Sequence, residues 1–513
     1  MPAIQMLIHD PLRWRAASQP HHLAIRTRER NVTYRELDRR TNRLANALIG
    51  QGVRPGDRVA LLDQNSIEFL EATYAISKAG AVSVPLGYRS TVRELHTIVD
   101  HSGATSAILD PDYLPILTEA AAGTDLSPDR MLVLGAEGSY ERAIANASES
   151  DPDVRVADDE PYSFLYTSGT TGAPKGVIQA HRGRAVHQCL AATEFEILRD
   201  DCVIAAAPLY NSGPIFWALT TISGGATVGL VRRFDAARFD DDIRALGVSY
   251  VPLMPTLFNR WIDAGETTGA WSRPPDGVRM LLTAGEPLLA TTREKLFARF
   301  PGVGLVEHYG STELGVVLLM RPEDHHRKPG SVGRPIFGQE VSLRDDGGAE
   351  VATGDVGELW ARGNAQMMGY YKQPEATAEI QDGPWIASGD LATRDDDGYH
   401  FIVGRKKDTI KTGGATVYPA EIETLLLDHP TVREVAVVGL PDEQWGELIV
   451  AAVVPEPGTL ADAGDILAFV SGQLATYKRP RAVYFVDELP KSAAGKALKR
   501  EIRSLLGERH RAR

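Results

Sequence analysis

The chain has 513 residues, too many for one hydrophobic core, so two or more domains are expected. A formal net charge of −13 leaves no basic surplus to neutralise phosphates, which argues against a nucleic-acid binder. Cys189 and Cys202 are the only cysteines, too few for a disulfide framework, and a reducing cytosol fits this usage best.

Residues 1–20 show no long apolar core followed by a small-residue cleavage site, so no secretory signal is read there. Thr33-Tyr-Arg-Glu36 is a capping-box pattern, and the helix behind it repeats apolar residues at Leu37, Leu44, Ala45 and Leu48 before Gly50 and Gly52. Arg58–Leu62 and Ala81–Pro85 read as buried strands flanking a helix through Phe69 to Ala79. Asp57-Arg-Val…Gly80-Ala-Val-Ser-Val is echoed by Asp201-Cys-Val…Gly225-Ala-Thr-Val, which suggests two copies of one strand-helix-strand unit; chance similarity is the alternative. Val203–Val231 carries no charge and is long enough to cross a bilayer. Pro208, Asn211, Gly213, Pro214, Gly224 and Gly225 cut it into short pieces, so a strand, loop, helix and strand explain it better than a membrane span.

Alternating strands and helices predict an α/β fold: a large N-terminal body with mostly parallel sheets. Near residue 400 the texture changes to a small mobile α+β lid, with a helix around Glu421–Leu427, strands at Val435–Leu440 and Leu448–Val454, and a helix at Asp465–Leu474. The expected division is body 1–403, hinge 404–408 and lid 409–513.

The most informative segment is Tyr166-Thr-Ser-Gly-Thr-Thr-Gly-Ala-Pro-Lys-Gly176. Glycines let the backbone approach an anion, successive N–H groups form a nest, hydroxyls add donors and Lys175 adds a point charge. This describes a polyphosphate cradle, yet Gly176 stands where a GxxxxGK[ST] loop needs Ser or Thr. A flexible linker would not predict the apolar lead-in Phe164-Leu165-Tyr166. Further along come Pro208-Leu-Tyr-Asn-Ser-Gly213, Thr283-Ala-Gly-Glu-Pro287 after a strand-like run, His308-Tyr-Gly-Ser-Thr-Glu313, Trp385-Ile-Ala-Ser-Gly-Asp390, Thr412-Gly-Gly-Ala-Thr-Val-Tyr-Pro-Ala-Glu421 and Pro490-Lys-Ser-Ala-Ala-Gly-Lys496.

These motifs, in this order, resemble those of the adenylate-forming superfamily, which holds acyl-CoA synthetases, aryl-CoA ligases, peptide-synthetase adenylation domains and beetle luciferases. The resemblance covers about Ile25 to Leu505 and implies an AMP-forming acid–thiol ligase using ATP, Mg²⁺ and coenzyme A. It implies that Thr167, Ser168, Gly169, Thr170, Thr171, Gly172 and Lys175 hold the ATP phosphates. Ala284, Gly285 and Glu286 would flank adenine and the acyl group, Tyr309 the adenine face, Thr312 the α-phosphate and Glu313 the metal. Asp390 and Arg405 would take the ribose, Lys407 would be the hinge pivot, and Gly413, Gly414 and Trp445 would border the CoA arm. Lys496 would meet the reacting carboxylate and α-phosphate, so Lys496, Thr171, Lys175 and Glu313 form the expected catalytic set.

Three departures stand out: Asn211 for a common His, Ser388 for Thr and Thr416 for Asn. Asn cannot gain positive charge, which puts any carboxylate-steering role of that position in doubt. Around it, Gly213, Ile215, Trp217, Met254, Thr283 and Gly310 would form a mostly apolar acid pocket without a second cation, so an apolar monocarboxylic acid is expected. The YGSTE form is similar to that of very-long-chain and steroid-type synthetases. Loading of a carrier protein and a non-catalytic nucleotide- or acyl-binding relative are the alternatives. The expected partners are small molecules, with no nucleic acid and no transmembrane segment. A cytoplasmic location is expected, and the resemblance leaves a homodimer open.

Overall fold

The computed structural model describes residues 5–135, 138–167, 174–491 and 497–511. Two units are distinguished, Met1–Val341 with Ala361–Ile386 and Ser342–Trp360 with Ala387–Arg513. The strand His400–Arg405 belongs to the smaller unit, whereas the sequence reading has residues 400–403 in the body and Gly404 and Arg405 in the hinge.

Local chemistry starts the larger unit's helices. Thr33 Oγ1 accepts from Glu36 N at 3.3 Å and opens helix Tyr34–Gly50, while the Glu36 carboxylate lies 3.4 Å from Arg30. Ser66 Oγ accepts from Phe69 N at 2.9 Å and opens helix Ile67–Lys78. That helix joins the parallel strands Arg58–Leu62 and Val82–Pro85. Helix Ser212–Gly224 joins Cys202–Ala205 and Thr227–Leu230 in the same way. In both copies the second strand's first N–H bonds the residue before the first strand: Val82 N to Asp57 O at 2.7 Å, Thr227 N to Asp201 O at 2.9 Å. The sequence echo is therefore a structural one, and the uncharged stretch is strand, loop, helix and strand. No helix among the described residues is long and apolar enough to cross a membrane.

The two copies lie in different sheets. Among the described residues, one sheet has seven strands, ordered Gly369–Tyr370, Lys175–Ala180, Pro161–Thr167, Val82–Pro85, Arg58–Leu62, Ser106–Leu109, Met131–Val133. Its pairs are parallel from Pro161–Thr167 onward, and the first two strands are added antiparallel. The other sheet has nine strands, with a parallel centre from Leu23–Arg26 through Thr227–Leu230, Cys202–Ala205, Tyr250–Pro252 and Met280–Ala284 to Gly304–Ser311. Leu70, Tyr74 and Ile76 of one connecting helix share a core with Ile215, Leu219 and Ile222 of the other. Each such fully buried side chain contributes roughly 1.5–3 kcal/mol relative to exposure. Both sheets thereby present the loops at their strand ends on a rigid base.

In the smaller unit, Ala415–Val417, Ile410–Thr412, Gly446–Pro455 and Val432–Asp442 pair antiparallel in that order, and Ala482–Phe485 joins Gly446–Pro455 in parallel. Helices Pro419–Leu427, Ala463–Ser471 and Lys499–Arg511 pack on this sheet. The second of these starts before Asp465 because Asp462 Oδ1 accepts from Gly464 N and Asp465 N, at 2.7 and 3.0 Å. Gly472 caps its end.

Candidate active site

The phosphate-cradle motif begins on one strand and ends on the next. Strands Pro161–Thr167 and Lys175–Ala180 run antiparallel with Thr167 opposite Lys175. Gly176 has a packing reason: a Cβ there would stand 3.1 Å from Tyr166 Cζ. Ser168, Gly169, Thr170, Thr171 and Gly172 lie outside the described residues. Lys175 Nζ sits 4.6 Å from the centre of the Tyr370 ring, within cation–π range.

Glu313 is placed by a hairpin, in the turn between Gly304–Ser311 and Gly315–Met320. It is therefore not the first-turn acid of a helix, the ordinary reason for a Glu after a Thr. Several distant residues hold this turn. Thr312 O accepts from Gln179 Nε2 at 2.9 Å and Arg184 Nη2 at 2.6 Å. Thr312 Oγ1 and Ser212 Oγ are 2.8 Å apart, which ties the turn to the Asn211 loop. Tyr370 OH donates to Glu313 Oε1 at 2.8 Å, and Met367 N donates to Glu313 O at 2.8 Å. His187 Nε2 accepts from Val316 N at 3.0 Å; burial holds this imidazole well below its ordinary pKa, so it stays a neutral acceptor. Burial also lowers the Arg184 guanidinium. Tyr309 and Gly310 precede the turn, opposite Leu318 and Val316.

Among the described residues no three His, Cys, Asp or Glu side chains gather to hold a metal ion by themselves. One carboxylate, with one oxygen hydrogen-bonded to Tyr370 and the other without a hydrogen bond among the described residues, suits a Mg²⁺ that keeps waters and takes its remaining ligands from substrate phosphates.

The expected acid pocket is mixed. Asn211 stands at the N-cap of helix Ser212–Gly224 without a side-chain cap bond, and Gly213 lies in its first turn. Asn65 fixes the loop before it: Oδ1 accepts from Leu209 N at 2.9 Å, and Nδ2 donates to Ala207 O at 3.0 Å and Val231 O at 3.1 Å. Trp217 is buried and gives its indole N–H to His308 Nε2 at 2.9 Å, leaving only its ring for apolar contact. His308 is pushed down to about 3 by burial, consistent with an acceptor nitrogen. The cavity that Trp217 lines with Val203, Pro214, Thr221 and Pro252 has a volume of about 10 Å³, room for roughly one water. Thr283 is fully buried with its hydroxyl unpartnered. Met254 lies 3.9 Å from where a Cβ of Gly285 would be. The Glu286 carboxylate accepts from Thr256 N at 3.1 Å and from the Thr256 hydroxyl, and so serves the start of helix Pro255–Thr268.

In the smaller unit Asp390 and Arg405 face each other across the hairpin Trp385–Arg394/His400–Arg405, with Arg405 Nε 2.6 Å from Asp390 Oδ1. Ser388 Oγ accepts from Asp390 N at 3.0 Å and donates to Leu359 O at 2.8 Å, so the serine supplies the hydroxyl function a threonine would. Lys407 lies in the single turn Lys406–Asp408, and partial burial lowers its pKa. The neighbouring charges are paired rather than merely solvated: Lys406 lies 3.0 Å from both Asp346 and Glu358. Gly413 and Gly414 form a two-residue turn at φ +56° and +78° between Thr412 and Ala415; a type I′ hairpin turn needs both positive values. Gly413 N donates to Trp445 O at 2.8 Å, and a Cβ on Gly413 would meet the indole ring at 3.0 Å. Trp445 is 37% exposed, with Arg481 5.4 Å over its ring. Thr416 Oγ1 accepts from Lys411 Nζ at 2.7 Å. Lys496 lies outside the described residues, between Lys491 and Ala497, which form an isolated antiparallel bridge.

Sequence reasoning missed Tyr370, Ser212, Gln179, Arg184, His187 and Asn65. Their contacts with the site run 57 to 144 positions along the chain. Ser212 stands in a quoted motif but was given no role there, and no local motif signals the other five.

The profile of the family described as "AMP-binding enzyme" matches residues 12–371, well over half the chain, and "AMP-binding enzyme C-terminal domain" matches residues 421–496. A feruloyl-CoA synthase from Amycolatopsis sp is 38% identical over 96% of this chain and 98% of its own. ScoC of Streptomyces coeruleorubidus, a fatty acid–[acyl-carrier-protein] ligase, is 34% identical over 98% of this chain and 96% of its own. The crystal structure of the anthranilate CoA ligase AuaEII in complex with anthranoyl-AMP superposes with a TM-score of 0.90 at 27% identity, covering 98% of each chain.

Proposed function

The chain belongs to the AMP-binding enzyme family, and from that premise we propose that it is an ATP-dependent acid–CoA ligase for an apolar monocarboxylic acid. The observation that carries the reading is the Thr312–Glu313 turn, held by Gln179, Arg184, Ser212 and Tyr370 in the larger unit. A turn anchored from several distant elements is a preorganised support for a carboxylate and a hydroxyl directed at phosphate.

In the first half-reaction a carboxylate oxygen bonds to the α-phosphorus of ATP, the α–β bridging P–O bond breaks, and pyrophosphate leaves. Lys175 and the loop hydroxyls Thr170 and Thr171 hold the β- and γ-phosphates, Thr312 the α-phosphate, and Lys496 the reacting oxygens. Mg²⁺, when bound at Glu313, supplies charge neutralisation on phosphate oxygens. Tyr309, Gly285 and Glu286 border the adenine, and Asp390 and Arg405 take the ribose. In the second half-reaction the CoA sulfur bonds to the acyl carbon, its proton is released, and AMP leaves. Gly413, Gly414 and Trp445 border the thiol arm, with Lys407 as the pivot between the two states. No protein nucleophile is required; positioning and charge supply the rate.

Trp217, Met254, Thr283 and Gly310 give the acid site its apolar character, with Asn211 and Gly213 at its entrance. The feruloyl and anthranoyl relatives support an aromatic acid as the first choice. Transfer to a carrier-protein thiol is the second reading, supported by ScoC. A cytoplasmic location, supported by the two free cysteines, completes the proposal; the resemblance leaves a homodimer open, which sedimentation tests.

The test is pyrophosphate release from MgATP over ferulate, anthranilate and fatty acids, with and without CoA. Acid-dependent release with acyl-CoA formed supports the ligase. Release with no CoA product favours the carrier-protein reading. Lys496→Ala should lose adenylate formation while a supplied acyl-AMP still reacts with CoA; equal loss of both would refute the assigned role.

A further inference from the structure

One short segment is stitched to both charged groups of the larger unit's site. Met367 N bonds Glu313 O, Met368 N bonds Ile178 O at 3.0 Å, and Tyr371 N bonds Gly176 O at 2.8 Å. Strand Gly369–Tyr370 pairs with Lys175–Ala180, Tyr370 opposite Val177. Tyr370 is buried, and its N–H is held by Thr377 Oγ1 at 2.9 Å. The ring therefore has little freedom. Its hydroxyl bonds Glu313 Oε1 at 2.8 Å, and its face takes the Lys175 ammonium at 4.6 Å.

Two opposite charges that meet one side chain would otherwise be drawn into an ion pair, and among the described contacts Lys175 and Glu313 form none. A direct pair would neutralise the carboxylate needed for a cation and the ammonium needed for phosphate. The phenol offers each a separate, weaker partner. Its hydrogen bond fixes the carboxylate plane and occupies one oxygen, which leaves the other for a metal; such outer contacts commonly set metal affinity by 10–100-fold.

We propose that Tyr370 is a positioning residue that holds Glu313 ready for the divalent cation and Lys175 apart from it, ready for the polyphosphate. This rests on the reading of Glu313 as the metal ligand. The test uses the full-length protein, Mn²⁺ as probe and α,β-methylene-ATP as the unreactive nucleotide. Bound Mn²⁺ is read by electron paramagnetic resonance and folding by thermal melting. Tyr370→Phe keeps the ring and removes the hydroxyl: Mn²⁺ affinity should fall about tenfold with the melting temperature and metal-free nucleotide affinity unchanged. Tyr370→Leu should weaken metal-free nucleotide binding as well, through Lys175. Wild-type Mn²⁺ affinity in Tyr370→Phe, with that of Glu313→Gln reduced, would overturn the role of Tyr370 alone. Wild-type affinity in Glu313→Gln would overturn the metal site itself, and the inference with it.

Discussion

The Thr312–Glu313 turn of the larger unit and the Asp390–Arg405 pair of the smaller one are built by opposite means. Asp390 and Arg405 are neighbours across one hairpin, fifteen positions apart in sequence, and strand register alone makes them meet. The turn at Glu313 is also a hairpin, but its geometry comes from side chains 57 to 133 positions away. A site made by register tolerates change because each contact is local. A site made by convergence depends on every element that reaches it, so damage to one anchor should spread.

The largest effect is expected at the convergent site. Arg184→Met should cost about 3 kcal/mol, since it leaves Thr312 O and Gln179 without a buried charged partner, and adenylation should fall with it; a melt within 0.5 kcal/mol of wild type would break the comparison. Next is acidity. Burial, with Arg293 adding, lowers His325 to about 4, while its unfolded value is about 6.5. The unfolded state then binds the extra proton below pH 6.5, so stability falls as pH drops from there toward 4, by up to about 1.4 kcal/mol per pH unit. His325→Gln should flatten the pH dependence of thermal stability in that window, and an unchanged slope would contradict it. At the register-built site, Arg405→Gln removes a partner 39% exposed and should change stability by less than about 1 kcal/mol, with the main loss in ATP affinity. A loss of several kcal/mol would show that this pair too is a structural keystone. The smallest effect belongs to Ser388→Thr, which keeps the hydroxyl bonds to Asp390 N and Leu359 O and should leave ATP affinity unchanged in a titration.

The same contrast decides what was legible in the sequence. The doubled strand-helix-strand unit was readable from Asp57…Gly80 and Asp201…Gly225, because short-range patterning produces it. Asp390, Arg405, Gly413 and Gly414 were picked out by the motifs of the resemblance, and the structure adds that Asp390 and Arg405 face each other across one hairpin and that the two glycines make a two-residue turn. Tyr370 was invisible: a tyrosine after glycine in a short edge strand has no period and no motif, and only the sheet topology brings it to Glu313. Asn65 was hidden for the same reason, 144 positions from Leu209. The Glu286 carboxylate shows the reverse case, where a residue in a recognisable motif is occupied by a local task at Thr256.

The central claim is that the Glu313 turn serves adenylate formation and the Gly413–Trp445 face serves thiol transfer. Its most direct test is single-turnover measurement of both half-reactions, acid plus MgATP and supplied acyl-AMP plus CoA, in Glu313→Gln and Trp445→Ala. The account predicts crossed defects: Glu313→Gln loses the first reaction and keeps the second, and Trp445→Ala does the opposite. Equal loss of both reactions in both variants would contradict it.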